Sequence, residues 1–179
     1  MMGIIFNFLI NFLEAKSDKE TVEEMKKKAG LEGKEFKAEK IYPEEEWQNL
    51  LNAACEILGV DKEIAEKMFA ENVISALINK FGSYFRISDS AFSLLRKIPK
   101  IHLDLPASMG VITEEKLKIV ADEENKIIFH YKSPNNLCIL MKTLIEQVFK
   151  HYNETGYSIV ENQCVKQGAD HCEIVITTK

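Results

Sequence analysis

KLKIVADEENKIIFHY, residues 116–131, is where the chain changes its hydrophobic period. Two short β-prone runs, Lys116 to Ala121 and Lys126 to Tyr131, flank the polar turn sequence Asp122-Glu123-Glu124-Asn125 and read as an antiparallel hairpin. Upstream, apolar residues recur every three or four positions, as they do on one face of a helix. Downstream, one further helix-period segment is followed by two more β-prone runs. The hairpin therefore separates a helical N-terminal half from a half that contains a sheet, an α+β arrangement.

Working back from the hairpin, Phe92, Leu95, Ile98, Ile101, His102 and Leu105 fall on one helical face, with Ser88 or Asp89 expected as cap and Pro99 expected to kink the helix. Before it, Asp61 caps a helix carrying Ile64, Met68, Val73, Ile74, Leu77 and Phe81. Tyr42-Pro43-Glu44-Glu45-Glu46 starts another, with Pro and acids at the positive dipole end, leading into Trp47, Leu50, Leu51, Ala54 and Leu58. Val22, Met25 and Ala29 lie on a helix that Gly30 stops, and Ile5, Leu9 and Phe12 lie on the first.

Working forward, Ser133-Pro134 is expected to open a helix through Leu137, Met141, Leu144, Ile145, Val148 and Phe149. Tyr157 to Val165 and Cys172 to Thr177, joined by Lys166-Gln167-Gly168-Ala169-Asp170, form a second expected hairpin. The expectation is a single domain over residues 1–179: helices first, then a four-stranded antiparallel sheet with packed helices. No internal repeat suggests a solenoid.

At 179 residues, 46% hydrophobic and 28% charged, the chain has globular composition and enough length to enclose a pocket. Its net charge of -5 opposes nucleic-acid binding, which needs clustered cations; Lys26-Lys27-Lys28 reads as a solvated helix end. Met1 to Ile10 is apolar but lacks the basic region and small-residue cleavage site of a signal peptide, and it is too short to cross a bilayer. The expected location is cytoplasmic, away from membranes. Four cysteines in such a chain read as free thiols or metal ligands.

Three groups of residues could carry chemistry. His102, on an apolar stripe, offers a neutral imidazole of the kind heme iron takes as a ligand. Tyr131-Lys132-Ser133-Pro134-Asn135 places two hydroxyls and an amide at a strand-to-helix junction, where they could converge on an anion beside helix N–H groups. Cys138, Cys164 and Cys172, with Glu161 or His171 as a fourth ligand, could hold a soft metal; Cys55 reads as a small core residue. No nucleophile–base pair stands out, so an enzyme is not expected.

Together these residues resemble the heme nitric oxide/oxygen-binding (H-NOX) domains, in their bacterial stand-alone form. The resemblance runs from Met2-Gly3-Ile4-Ile5-Phe6-Asn7 through Tyr42 and Ile101-His102-Leu103 to Tyr131-x-Ser133 and Gly168-Ala169-Asp170-His171-Cys172. Its most specific element is the spacing of 29 residues between His102 and Tyr131. The resemblance implies that His102 binds the iron of heme b and that Tyr131 and Ser133 hold its propionates. Asn135 stands where the family has Arg, replacing a charged fork with a neutral amide. Glu115 stands where a proline usually presses on the porphyrin.

The resemblance also aligns Leu140 with the distal Tyr of oxygen-binding members. With Leu144 and Ile5 as further walls, the pocket would be apolar and would favour NO and CO over O₂. Zinc would be held by Cys138, Cys164 and Cys172, with Glu161 where a His is usual, or with His171. The implied function is a gas sensor, not an enzyme, signalling in trans to a histidine kinase or a diguanylate cyclase. Its rivals are a heme-less binding module of the same fold and a redox sensor built on the cysteines and zinc.

Overall fold

The computed structural model describes residues 1–179, which divide into two compact units, Met1–Ala76 and Leu77–Lys179. Five helices come first, followed by two strands, a sixth helix and two more strands, as the change of period implies.

The first unit holds α1 (Gly3–Lys16), α2 (Lys19–Lys28), α3 (Glu44–Leu58) and the start of α4 (Lys62–Arg86). Its core is aromatic. Phe6 stacks on Phe36 with centroids 4.1 Å apart and meets Trp47 edge-on at 5.6 Å, while Phe12 meets Phe69 at 6.2 Å. Such offset and edge-to-face contacts add to the area term. The start of α1 has no side-chain cap; the carbonyls of Lys40 and Ala38 accept its Gly3 and Ile4 amides instead. That close approach requires glycine, because a Cβ on Gly3 would overlap the Lys37 carbonyl and the Tyr42 ring. Asp18 and Asp61 accept the Thr21 and Ile64 amides at 2.8 Å and start α2 and α4. Gly30 sits at φ 70° after α2, as expected of a stop.

The second unit begins within α4, where Phe81 takes non-helical dihedrals (φ -118°, ψ 24°), and continues with α5 (Ala91–Ser108), β1 (Leu117–Glu123), β2 (Lys126–Tyr131), α6 (Cys138–His151), β3 (Tyr157–Gln163) and β4 (Cys172–Thr178). The strands form one antiparallel sheet in the order β1-β2-β4-β3. Leu117, Ile127, Phe129, Cys172, Ile174 and Ile176 are buried on one face. Phe149 of α6 stacks on Tyr157 of β3 at 4.1 Å and meets Phe92 of α5 at 6.0 Å. Arg96 ties α5 to the first hairpin through Asp122 (2.7 Å) and the Glu123 carbonyl (2.8 Å).

Three local expectations are corrected. The cap of α5 is Ser90, whose Oγ accepts the Ser93 amide at 3.0 Å; the Ser88 hydroxyl is committed to the Tyr84 carbonyl and Lys97. α5 runs through Pro99 and on through Pro106 to Ser108, and the non-helical residue is Phe81 in α4 instead. The helix after Ser133-Pro134 begins only at Cys138, because a turn closed by the Asn136 amide on the Ser133 carbonyl (3.0 Å) carries Asn136 into φ 50°. No helix is long and apolar enough to cross a membrane.

Candidate functional site

Pro106 has no N–H to give the carbonyl of His102, and Pro99 leaves that of Leu95 without its helical donor. The turn bearing His102 is thus bracketed by two missing bonds. Whereas the first half of α5 buries Phe92, Leu94 and Leu95, the second half leaves Ile98, Ile101, Leu103 and Leu105 only half-covered. His102 itself is exposed. Nonetheless burial, and secondarily the charge of Lys116, hold its pKa below the ordinary imidazole value. A ring with an uncovered surface is desolvated when protein surrounds it at longer range. It is neutral at physiological pH, the form that ligates metals.

Tyr131 closes β2, and the Lys132 amide continues the pairing onto the Lys116 carbonyl at 2.9 Å. Ser133 and Asn135 are buried, 6% and 1% exposed, and the Asn135 amide donates to Ser133 Oγ at 3.4 Å. The structure therefore gathers Ser133 and Asn135 into one turn just past Tyr131. Because α6 starts at Cys138, the polar groups at this turn are side chains and turn amides, not the helix end that the sequence suggests. Leu140 and Leu144, four residues apart on α6, are half-covered, while Met141, Ile145 and Val148 are buried. Ile5 lies on α1 in the first unit, half-covered.

The three cysteines meet. Cys138 Sγ lies 3.0 Å from Cys172 Sγ and 3.5 Å from Cys164 Sγ, with 3.6 Å closing the triangle; all three are free and buried. Glu161 joins them, its carboxylate and the thiols lying within 4.8 Å of one another. Tetrahedral ligation with bonds of about 2.3 Å separates thiolates by roughly 3.8 Å, so small rotations would fit an ion. Burial pushes the Cys138 and Cys172 thiols up, with contacts among the thiols adding to the rise at Cys138. Burial also tends to raise Glu161, but the Lys142 ammonium 2.6 Å from Oε2 and the neighbouring thiols more than offset it, leaving the carboxyl below its usual range. Its Oε1 is buried without a hydrogen-bond partner. His171 is not in this cluster; its ring stacks on His130 at 3.9 Å.

Sequence reasoning missed Lys116, Lys142, His130 and Glu173. The alternation in β4 carries part of the signal, since Cys172 inward implies Glu173 outward. The strand register that brings His130 opposite Glu173 is a long-range property.

A family model described as HNOB, Haem-NO-binding, matches residues 2–157. Among solved structures, an H-NOX protein from Shewanella oneidensis in the Fe(II)NO ligation state superposes with a TM-score of 0.88 at 23% identity, covering 100% of this chain and 99% of that one. A point mutant of an H-NOX protein from K. algicida, in its Fe(II) unliganded form, gives 0.85 at 18% identity, covering 100% and 97%. An oxygen-binding H-NOX domain related to soluble guanylate cyclases, as its oxygen complex, gives 0.83 at 21% identity, covering 100% and 95%. No curated protein matches.

Proposed function

The chain belongs to the Haem-NO-binding family, and on that premise we propose that it is a non-enzymatic gas sensor that holds heme b through His102 and responds to NO and CO. The observation that carries this reading is the state of His102: uncovered, desolvated, neutral and flanked by half-covered apolar residues on its own helix. Because the family model spans both compact units, we read them as one sensor domain. Heme bound there would supply the iron to which a diatomic gas attaches. The apolar residues beside His102 offer a porphyrin a dry wall, and Tyr131, Ser133 and Asn135 supply neutral polar groups for its propionates. Leu140 and Leu144 offer no hydroxyl to bound gas, which disfavours O₂ relative to NO and CO, since O₂ gains most from a hydrogen-bond donor.

The thiol cluster suits a structural zinc ion. Cys138, Cys164, Cys172 and Glu161 would complete a closed tetrahedron, and the buried, unpartnered Glu161 Oε1 is the donor such an ion would satisfy. Three buried free thiols this close also favour a reducing compartment, the cytoplasm. Signal output would pass to a histidine kinase or diguanylate cyclase that binds the gas-bound and gas-free states with different affinity.

The test is reconstitution with heme, reduction, and addition of NO, CO or O₂ under absorption spectroscopy. A Soret band that moves with NO and CO and is unmoved by O₂ supports the proposal. Absence of specific heme uptake would overturn it in favour of the heme-less binding module, the reading that Asn135 in place of Arg favours.

A further inference from the structure

β4 carries a second group of metal-ligating side chains on the face opposite the thiols. Cys172 is buried, and alternation turns the next residue, Glu173, outward. The β2–β4 register sets Glu173 directly opposite His130, with Glu173 Oε2 3.3 Å from His130 Nε2. His171, at the entrance to β4, lays its ring on His130 with centroids 3.9 Å apart and planes inclined by 34°. One ligand atom from each of the three lies within 4.8 Å of the others.

The second layer is also built. Asn162 Nδ2 donates to Glu173 Oε1 at 2.8 Å, which leaves Oε2 on the side of His130. The Gln163 side-chain amide engages His171 Nε2 at 2.8 Å. The contact runs through Gln163 Nε2 and anchors the ring. Hydrogen bonds that fix the ring and carboxylate of a ligand are the usual outer shell of metal sites.

We propose that His130, His171 and Glu173 form a second divalent-metal site, on the outer face of the sheet, for a borderline ion such as Zn²⁺, Ni²⁺ or Cu²⁺. Two imidazoles and a carboxylate suit those ions, in contrast to the thiolate set on the buried face. Donors on an ion with bonds of about 2.0–2.1 Å stand roughly 3–3.5 Å apart, so the stacked rings must rotate modestly to converge. The side chains of His130 and Glu173 are 33% and 29% exposed, which leaves room for that rotation and gives an ion access from solution. Three protein ligands leave at least one position open for water or for a donor from another molecule.

The test is equilibrium dialysis of the full chain under reducing conditions against graded Zn²⁺, with bound metal counted by mass spectrometry. Wild type is compared with His130→Ala, His171→Ala, Glu173→Gln and Cys164→Ser, each confirmed folded by its circular dichroism. The expected result is one fewer Zn²⁺ bound in each His variant and an affinity at that site at least about tenfold weaker in Glu173→Gln, with the ion kept in Cys164→Ser. Equal stoichiometry and affinity in wild type and both His variants would overturn the proposal, as would loss of all bound Zn²⁺ in Cys164→Ser alone.

Discussion

Tyr131 stands directly opposite Cys172 across β2 and β4, and its ring packs against the cluster of Cys138, Cys164 and Cys172. The first residue of the proposed propionate-binding turn is therefore also a wall of the thiol site. A change at the thiols has a short physical route to Tyr131.

That adjacency gives the first prediction. In Cys164→Ser the tightly held zinc is lost on dialysis, measured as metal content, and thermal stability falls because a structural ion contributes folding energy directly. Heme uptake persists, since none of the residues assigned to it is a thiol. Zinc content equal to wild type would contradict the assignment of the cluster.

Asn135→Arg separates heme binding from folding. Asn135 is 1% exposed, so a guanidinium there is desolvated unless an anion pairs with it. The heme-free variant is expected to melt below wild type, whereas its heme dissociates more slowly because a charged fork replaces the neutral amide. Scanning calorimetry and heme transfer to an apo-globin acceptor read the two effects. A variant that loses heme as fast as wild type would count against an anion at this turn.

Gly3→Ala tests the packing at the start of α1. Alanine brings a helix-propensity gain of at most about 1 kcal/mol. Its Cβ would overlap the Lys37 carbonyl and the Tyr42 ring, and overpacking of this kind costs about 1–3 kcal/mol. Backbone cannot move aside as a flexible side chain can, so the clash wins and the melting temperature drops by several degrees, read by thermal denaturation.

At the start of α2 the hydrogen bonds from the Thr21 amide and hydroxyl hold the Asp18 carboxyl below its usual range. A depressed carboxyl pKa stabilises the folded form above the unfolded value and loses that contribution as pH falls through the folded one. The Thr21 amide resonance should consequently titrate with a midpoint below about 3.9, the value for free Asp. Asp18→Asn should abolish the titration while largely keeping the cap.

Local signals make most of the fold legible. Period and turn chemistry place both hairpins, and caps such as Asp61 and stops such as Gly30 depend on a few adjacent residues. The start of α6 is not legible in the same way, because Ser133-Pro134 is an equally good turn opener, and Asn136 in the left-handed region decides between the two. Ser90 displaces Ser88 as cap because Ser88 is committed to Tyr84 and Lys97. At the site, the convergence of three cysteines with Glu161 is foreshadowed by the hairpin. The choice between Glu161 and His171 needs the sheet register, which puts them in different clusters. The uncovered, desolvated state of His102 is a property of the folded surroundings and has no counterpart in its neighbours along the chain.

The measurement that bears most directly on the sensor reading is the absorption spectrum of reduced, heme-reconstituted wild type beside His102→Ala, each with and without NO and with and without added imidazole. The expected result is a wild-type Soret band that shifts with NO, an altered or weakened band in His102→Ala before NO is added, and restoration of the wild-type band by free imidazole. Identical spectra for the two proteins in every condition would show that His102 does not ligate the iron.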